Sequence, residues 1–187
     1  MYKGWANIVS RIDDLRVDVR SENIPDVLVF LLVAAEDHRF KYHCGVDILA
    51  LCRALWRTTF NGRVEGGSTI AMQLVRVVSS RYERTLGRKI LEIVFAVRLA
   101  ASISKLELSK VYLYTAYYGW NMEGLNQAVR RLGVDANNMS LYEAASIVAR
   151  LKYPEPRVVS ESQQKRILAR VDYILKRFDK MSRVGFL

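Results

Sequence analysis

Two acidic residues, Glu36 and Glu92, stand in local sequences that could make them reagents. Glu36 opens the run Glu36-Asp37-His38-Arg39-Phe40-Lys41-Tyr42-His43-Cys44-Gly45 and follows nine apolar residues. That places it at the rim of a core, where partial desolvation makes a carboxylate a stronger base. Phe40, one helical turn on, would cover one side of it, and His43 could hydrogen-bond nearby. Glu92 ends Arg88-Lys89-Ile90-Leu91-Glu92 and is followed by Ile93, Val94 and Phe95. In so apolar a setting an unpaired carboxylate would be costly. Between the two lies Gly66-Gly67-Ser68-Thr69-Ile70, a polar glycine turn ending in a helix cap. Free N–H groups and a partial positive charge at such a helix start suit a diphosphate. It is no nucleotide P-loop, because no Gly-Lys-Ser/Thr follows the glycines. Gln73 and Arg76, further along the same helix, could face the same ligand, and Arg76, Arg88 and Lys89 would clamp a departing anion. This set suits a reaction in which a hydroxyl loses a proton and an anionic leaving group departs, as in sugar transfer from a lipid-linked diphosphate.

Each element also has a plainer reading. An acidic pair at a helix end is ordinarily a solvated feature, and a lone His is usually a satisfied structural residue. Arg88 and Glu92 at i,i+4 make an ordinary helix ion pair worth a few tenths of a kcal/mol. Gly-Gly-Ser-Thr alone is a loop and a cap. Tyr112, Tyr114, Tyr117, Tyr118 and Trp120 at helical spacing read as core and helix–helix packing.

The elements that must position these residues read as helices. Pro25 and Asp26 suit a first helical turn, and the apolar run 27–35 carries Glu36 near its end. Ser104-x-x-Glu107, Ser140-x-x-Glu143 and Ser160-x-x-Gln163 are capping boxes. Apolar spacing over residues 86–103 puts Arg88 and Glu92 on one helix face. Strand signals are thin: a brief alternation at Val17 and Val19, and a hairpin turn at Asn61-Gly62. The expectation is a mainly α domain over residues 1–187, with a looser, more mobile sub-region at about 47–80.

Composition bounds the partners. With 187 residues, 51% of them hydrophobic, the chain supplies one ordinary core. A formal charge of +10 favours a polyanion: nucleic acid, an anionic lipid surface or a phosphate-bearing substrate. No nucleic-acid recognition motif accompanies it. Cys44 and Cys52 fit neither a zinc spacing nor a disulfide framework. The charged first 19 residues lack the apolar stretch of a secretory signal, and run 27–35 is far short of the roughly 20 residues of a membrane span. No signal or transmembrane anchor is therefore expected in this chain.

Taken together, these residues resemble the peptidoglycan glycosyltransferases of glycosyltransferase family 51, found in class A penicillin-binding proteins and in monofunctional wall polymerases. The family's E-D-x-x-F-x-x-H-x-G is matched by Glu36, Asp37, Phe40, His43 and Gly45. Its G-G-S-T-I-x-x-Q-L is matched from Gly66 to Ile70, then by Gln73 and Leu74, and its R-K-x-x-E by Arg88, Lys89 and Glu92. A fourth motif is met by Ser104, Lys105, Glu107, Tyr112 and Leu113, and a fifth resembles residues 143–156. The resemblance runs over about residues 17–178. It implies a lysozyme-like helical fold with a larger lobe and a smaller jaw lobe at about 47–80. It implies lipid II as substrate, Glu36 as the base on the acceptor hydroxyl, and Glu92 assisting at the donor diphosphate. Asp37, Phe40, His43, Gly67, Ser68, Thr69, Gln73, Arg76, Arg88 and Lys89 become substrate-site residues. A divalent cation, Mg or Mn, is expected with the diphosphate; no metal ligands are identified. The implied partners are lipid II, the growing glycan strand, an anionic membrane surface and other wall-synthesis proteins, and not nucleic acid. The implied place is the outer face of the bacterial cytoplasmic membrane. A transpeptidase domain does not fit in this length, so the expected activity is monofunctional.

The chain departs from the family pattern at Met72, Arg76, Tyr114, Asn126, Arg150 and Lys152. Two other readings stay open: a glycan-cleaving lytic transglycosylase of the same architecture, and a non-catalytic binder of lipid II or glycan that regulates a synthase. The lytic enzyme needs one Glu and neither the glycine turn nor the cationic clamp.

Overall fold

A computed structural model describes residues 3–61, 66–83 and 85–185. The chain is mainly α, as the capping signals and apolar spacing predict. Its centre is α2 (Asp26–Glu36), entered through Pro25. Leu28, Val29, Leu31, Leu32, Val33 and Ala34 of α2 are all buried, so the helix is apolar nearly all round and has neighbours on several sides. Those neighbours are α6 (Lys105–Thr115), α8 (Leu141–Lys152) and α9 (Glu161–Arg183). Each fully buried leucine there contributes roughly 2 kcal/mol of transfer free energy. Glu36 is the last residue of this helix and emerges where the core ends.

A second layer is built on α4 (Ile70–Ser79), which packs on α6, on α5 (Leu86–Ser102) and on α1 (Lys3–Ser21). The brief alternation at Val17 and Val19 is not a strand. It falls within α1, whose buried Ile8, Ile12 and Val19 follow helical spacing while Val17 faces solvent. Packing of that stripe overrides the β-preference of two valines. The hairpin expected at Asn61-Gly62 lies outside the described residues from Gly62 on, and Asn61 is the last residue of α3 (Ile48–Asn61). The described residues do form one small antiparallel ribbon, β1 (Tyr117–Gly119) with β2 (Met122–Glu123), turned through Asn121 at φ 55° and followed by α7 (Leu125–Leu132).

The capping signals act to different degrees. Ser140 and Glu143 form the full reciprocal box. Ser104 accepts from the Glu107 N–H, but the Glu107 carboxylate turns to Arg16 of α1 at 2.8 Å, tying α1 to α6. Ser160 accepts from the Gln163 N–H, and the Gln163 amide donates to the Pro154 carbonyl at 3.1 Å.

The stretch 47–80 is not uniform. Helix α4 is core, with Ile70, Ala71, Met72, Leu74, Val75 and Val78 buried. Helix α3 leaves Ile48, Leu49, Leu55, Trp56 and Phe60 exposed by 62 to 70%. Gly67 runs against α3: a Cβ there would lie 2.9 Å from Ala54 Cβ and 3.0 Å from the Ala50 carbonyl oxygen.

Candidate active site

Glu36 is partly buried, its side chain 17% exposed, and both of its oxygens have partners. Arg170 Nη2 of α9 donates to Oε1 at 2.7 Å and also to the Ala35 carbonyl at 2.8 Å. Gln73 Nε2 of α4 donates to Oε2 at 3.1 Å. The Gln73 carbonyl in turn accepts from the Tyr112 hydroxyl of α6 at 2.6 Å. Helices α9 and α4 therefore meet this one carboxylate directly, and α6 meets it through Gln73.

The residues after Glu36 do structural work. Asp37 is buried; His43 Nε2 lies 2.8 Å from its Oδ1, and the Ile70 N–H donates to its Oδ2 at 3.2 Å. The Thr69 hydroxyl donates to the Gly45 carbonyl at 2.6 Å and accepts from the Met72 N–H at 3.3 Å. Gly45, at φ 95°, presses on α5 so closely that a Cβ would sit 2.5 Å from the Ala96 carbonyl oxygen. The first two motifs are thus stitched together. The start of α4, which the sequence offers as a seat for a ligand's anion, already holds the carboxylate of Asp37. Phe40 is buried under Lys105, whose ammonium lies 5.2 Å from the ring centroid and donates to the Phe40 carbonyl.

Glu92 is only 2% exposed, yet three cations meet it. Arg76 grips it with both arms of its fork, at 2.8 and 3.1 Å. Arg88 donates to Oε1, and the Lys89 ammonium lies 3.7 Å from Oε2. Lys89 also donates to the Ser68 hydroxyl at 2.8 Å, joining the glycine turn to the clamp. The carboxylate raises the affinity of Arg76 for its proton. Burial lowers that of Lys89, with Glu92 opposing and Arg76 and Arg88 adding to the drop.

The cluster of Arg76, Arg88, Lys89 and Glu92 carries a surplus of two positive charges, which matches a dianion. Among the described residues no three His, Cys, Asp or Glu side chains come together. The one carboxylate at this end is already saturated by cations.

The two halves meet on α4. Gln73, on Glu36, and Arg76, on Glu92, are three residues apart and share a helix face, about 4.5 Å along the axis. The sequence-predicted residues therefore divide into three groups. Gln73 stands beside Glu36; Arg76, Arg88, Lys89 and Ser68 stand beside Glu92. Asp37, His43, Thr69 and Gly67 brace the loops between, and Phe40 underpins the first of them. Sequence reasoning missed two partners. Tyr112 reads as a packing aromatic. Arg170 carried a usable signal: it falls on the stripe of α9 formed by Ile167, Val171 and Ile174, all buried, and a cation on an apolar stripe calls for a partner. Of the departures from the family pattern, Met72 is fully buried, Asn126 donates to Glu22, and Arg150 pairs with Glu155.

A profile described as "Transglycosylase" matches residues 6–179. Penicillin-binding protein 1A of Pseudomonas aeruginosa is 30% identical over 190 aligned positions, covering 100% of this chain and 23% of that protein. Penicillin-binding protein 1A of Escherichia coli is 36% identical over 141, covering 74% of this chain and 17% of that protein. A monofunctional glycosyltransferase of Staphylococcus epidermidis is 33% identical over 144, covering 73% of this chain and 54% of that protein. The chain thus spans about a fifth of the penicillin-binding relatives and about half of the glycosyltransferase.

Proposed function

Because this chain belongs to the transglycosylase family, we propose that it is a peptidoglycan glycosyltransferase that polymerises lipid II into β-1,4-linked glycan with release of undecaprenyl diphosphate. The observation that carries this reading is the pairing, on one face of α4, of a half-buried carboxylate with a nearby cationic clamp. A glycan-cleaving enzyme needs the first and has no use for the second.

In this reading Glu36 takes the proton of the acceptor sugar's 4-hydroxyl as that oxygen attacks the anomeric carbon of the donor. The bond from that carbon to the diphosphate breaks on the opposite face, which inverts the centre. Negative charge grows on the leaving diphosphate beside Arg76, Arg88 and Lys89, which are held in place beforehand and need not reorganise during the reaction. Glu92 acts through those cations: it holds them together in the absence of substrate. A divalent cation, Mg or Mn, would arrive with the substrate diphosphate and add to the positive charge that Arg76, Arg88 and Lys89 present to it.

Place and partners follow from the substrate. Lipid II is embedded in a bilayer, so the enzyme works at a membrane surface, with the outer face of the cytoplasmic membrane as the expected location. None of the described helices is long and apolar enough to cross a membrane. The basic charge and the exposed apolar side chains of α3 supply contacts to an anionic bilayer. The growing glycan strand and other wall-synthesis proteins complete the set of partners.

The deciding experiment incubates the purified chain with labelled lipid II, detergent and a divalent cation, then resolves glycan strands on a gel. A ladder that vanishes in Glu36→Gln is expected. A ladder that persists undiminished in that variant would remove Glu36 as the base, and lipid II binding without any polymer would favour a regulator.

A further inference from the structure

The hydrogen bonds around Glu36 have a direction. Tyr112 is buried, and burial together with the nearby Glu36 charge raises its affinity for its proton well above the ordinary phenol, so its hydroxyl is a donor. Its acceptor is the carbonyl oxygen of Gln73 at 2.6 Å. That choice leaves the Gln73 NH2 group facing Glu36 Oε2 at 3.1 Å. An amide flipped the other way would set two acceptors against each other at Glu36 and two donors against each other at Tyr112. On the opposite side Arg170 holds Oε1 at 2.7 Å. Arg170 is itself fixed: its side chain is 9% exposed, it donates to the Ala35 carbonyl, and its guanidinium lies 4.7 Å from the Tyr173 ring centroid. Glu36 thus has a fixed donor on each oxygen, which holds the carboxylate in one orientation.

We propose that Tyr112, acting through Gln73, and Arg170 are positioning residues that fix the rotamer of Glu36 and aim it at the acceptor hydroxyl. This rests on the reading of Glu36 as the general base. The other charged and titratable groups around Glu36 are otherwise engaged. Arg76, one turn from Gln73 on α4, is bound to Glu92, and Asp37 is bound to His43 and the Ile70 N–H. His38 is disfavoured as a cation by burial and by Arg177 of α9 and Arg53 of α3. Arg170 is therefore the cation paired with Glu36, and the Tyr112–Gln73 pair is the orienting neutral contact.

The test measures kcat and KM of lipid II polymerisation for the unmodified chain, Tyr112→Phe, Arg170→Gln and Arg170→Lys. Arg170→Gln weakens the hold on Oε1 and should lower kcat about tenfold with KM nearly unchanged. Arg170→Lys keeps a donor there without the fork, and should recover part of the lost kcat. Tyr112→Phe removes one oxygen and should likewise lower kcat about tenfold with KM nearly unchanged. Circular dichroism spectra and lipid II binding of the same proteins, expected unchanged, separate lost positioning from lost fold. Tyr112→Phe and Arg170→Gln proteins that are folded and keep the original kcat would overturn the proposal. Loss of the base reading would look different: Glu36→Gln would polymerise normally.

Discussion

Replacing Glu92 with Gln removes the only anion from a cluster that also holds Arg76, Arg88 and Lys89. Glu92 is 2% exposed and Arg88 11%, whereas Arg76 and Lys89 are 30 and 29% exposed. Breaking a buried ion pair by deleting one partner costs about 3–5 kcal/mol, because the remaining charge loses its compensation. Here Arg88 bears that penalty in full, while Arg76 and Lys89, about a third exposed, recover part of it from solvent. We therefore place the loss at the low end, about 3 kcal/mol. For a 187-residue chain this lowers the melting temperature by roughly 6–12 °C. Circular dichroism melts of the two proteins, with and without inorganic pyrophosphate, measure it. If the cluster is an anion clamp, pyrophosphate fills the place of the lost carboxylate and stabilises Glu92→Gln more than it stabilises the unmodified chain. A melt within about 1 °C of the unmodified protein, with equal response to pyrophosphate, would refute the reasoning.

Other outcomes follow from the same structure. Burial lowers the proton affinity of Lys89, so the alkaline limb of polymerisation should fall below the roughly 10.4 of an ordinary lysine. Lys89→Arg should push that limb upward, and an unmoved limb would remove Lys89 as its source. On α3, Trp56→Ser with Phe60→Ser deletes two exposed aromatics, and flotation with anionic vesicles should show at least tenfold weaker binding, at about 1.5–3 kcal/mol per inserted side chain. Binding that instead collapses only with added salt would assign the membrane contact to the basic surface. Glu155→Ala leaves Arg150, 9% exposed, with only Ser146 as a partner and no counter-charge, and should destabilise the chain by about 3 kcal/mol in urea unfolding.

The helices were legible because their signals are local. Ser140 and Glu143 sit three residues apart and form the box that spacing predicts, and the 86–103 pattern delivers Glu92 to the buried face of α5. The Val17 and Val19 alternation failed because two residues of β-preference weigh less than a four-turn stripe with a core to pack on. The carboxylates and the cations beside them were also legible, since residue type and i,i+4 spacing suffice to name Arg88 and Glu92 as partners. That Arg76 would join them from another helix, 16 residues away, was not fixed by spacing, because α4 and α5 must first pack.

By itself, then, the sequence determined the helical class, the two acidic centres, the cationic residues and the family they resemble. Only the tertiary structure decided how those residues share the work. It put Asp37 at the start of α4 as a brace, where an isolated helix start would have invited a ligand. It brought Arg170 across 134 residues to Glu36, and turned Tyr112 from a packing aromatic into the donor that orients Gln73. The physical reason is that hydrogen-bond partners within a turn are set by covalent spacing, whereas partners on different helices are set by which faces the apolar stripes bury.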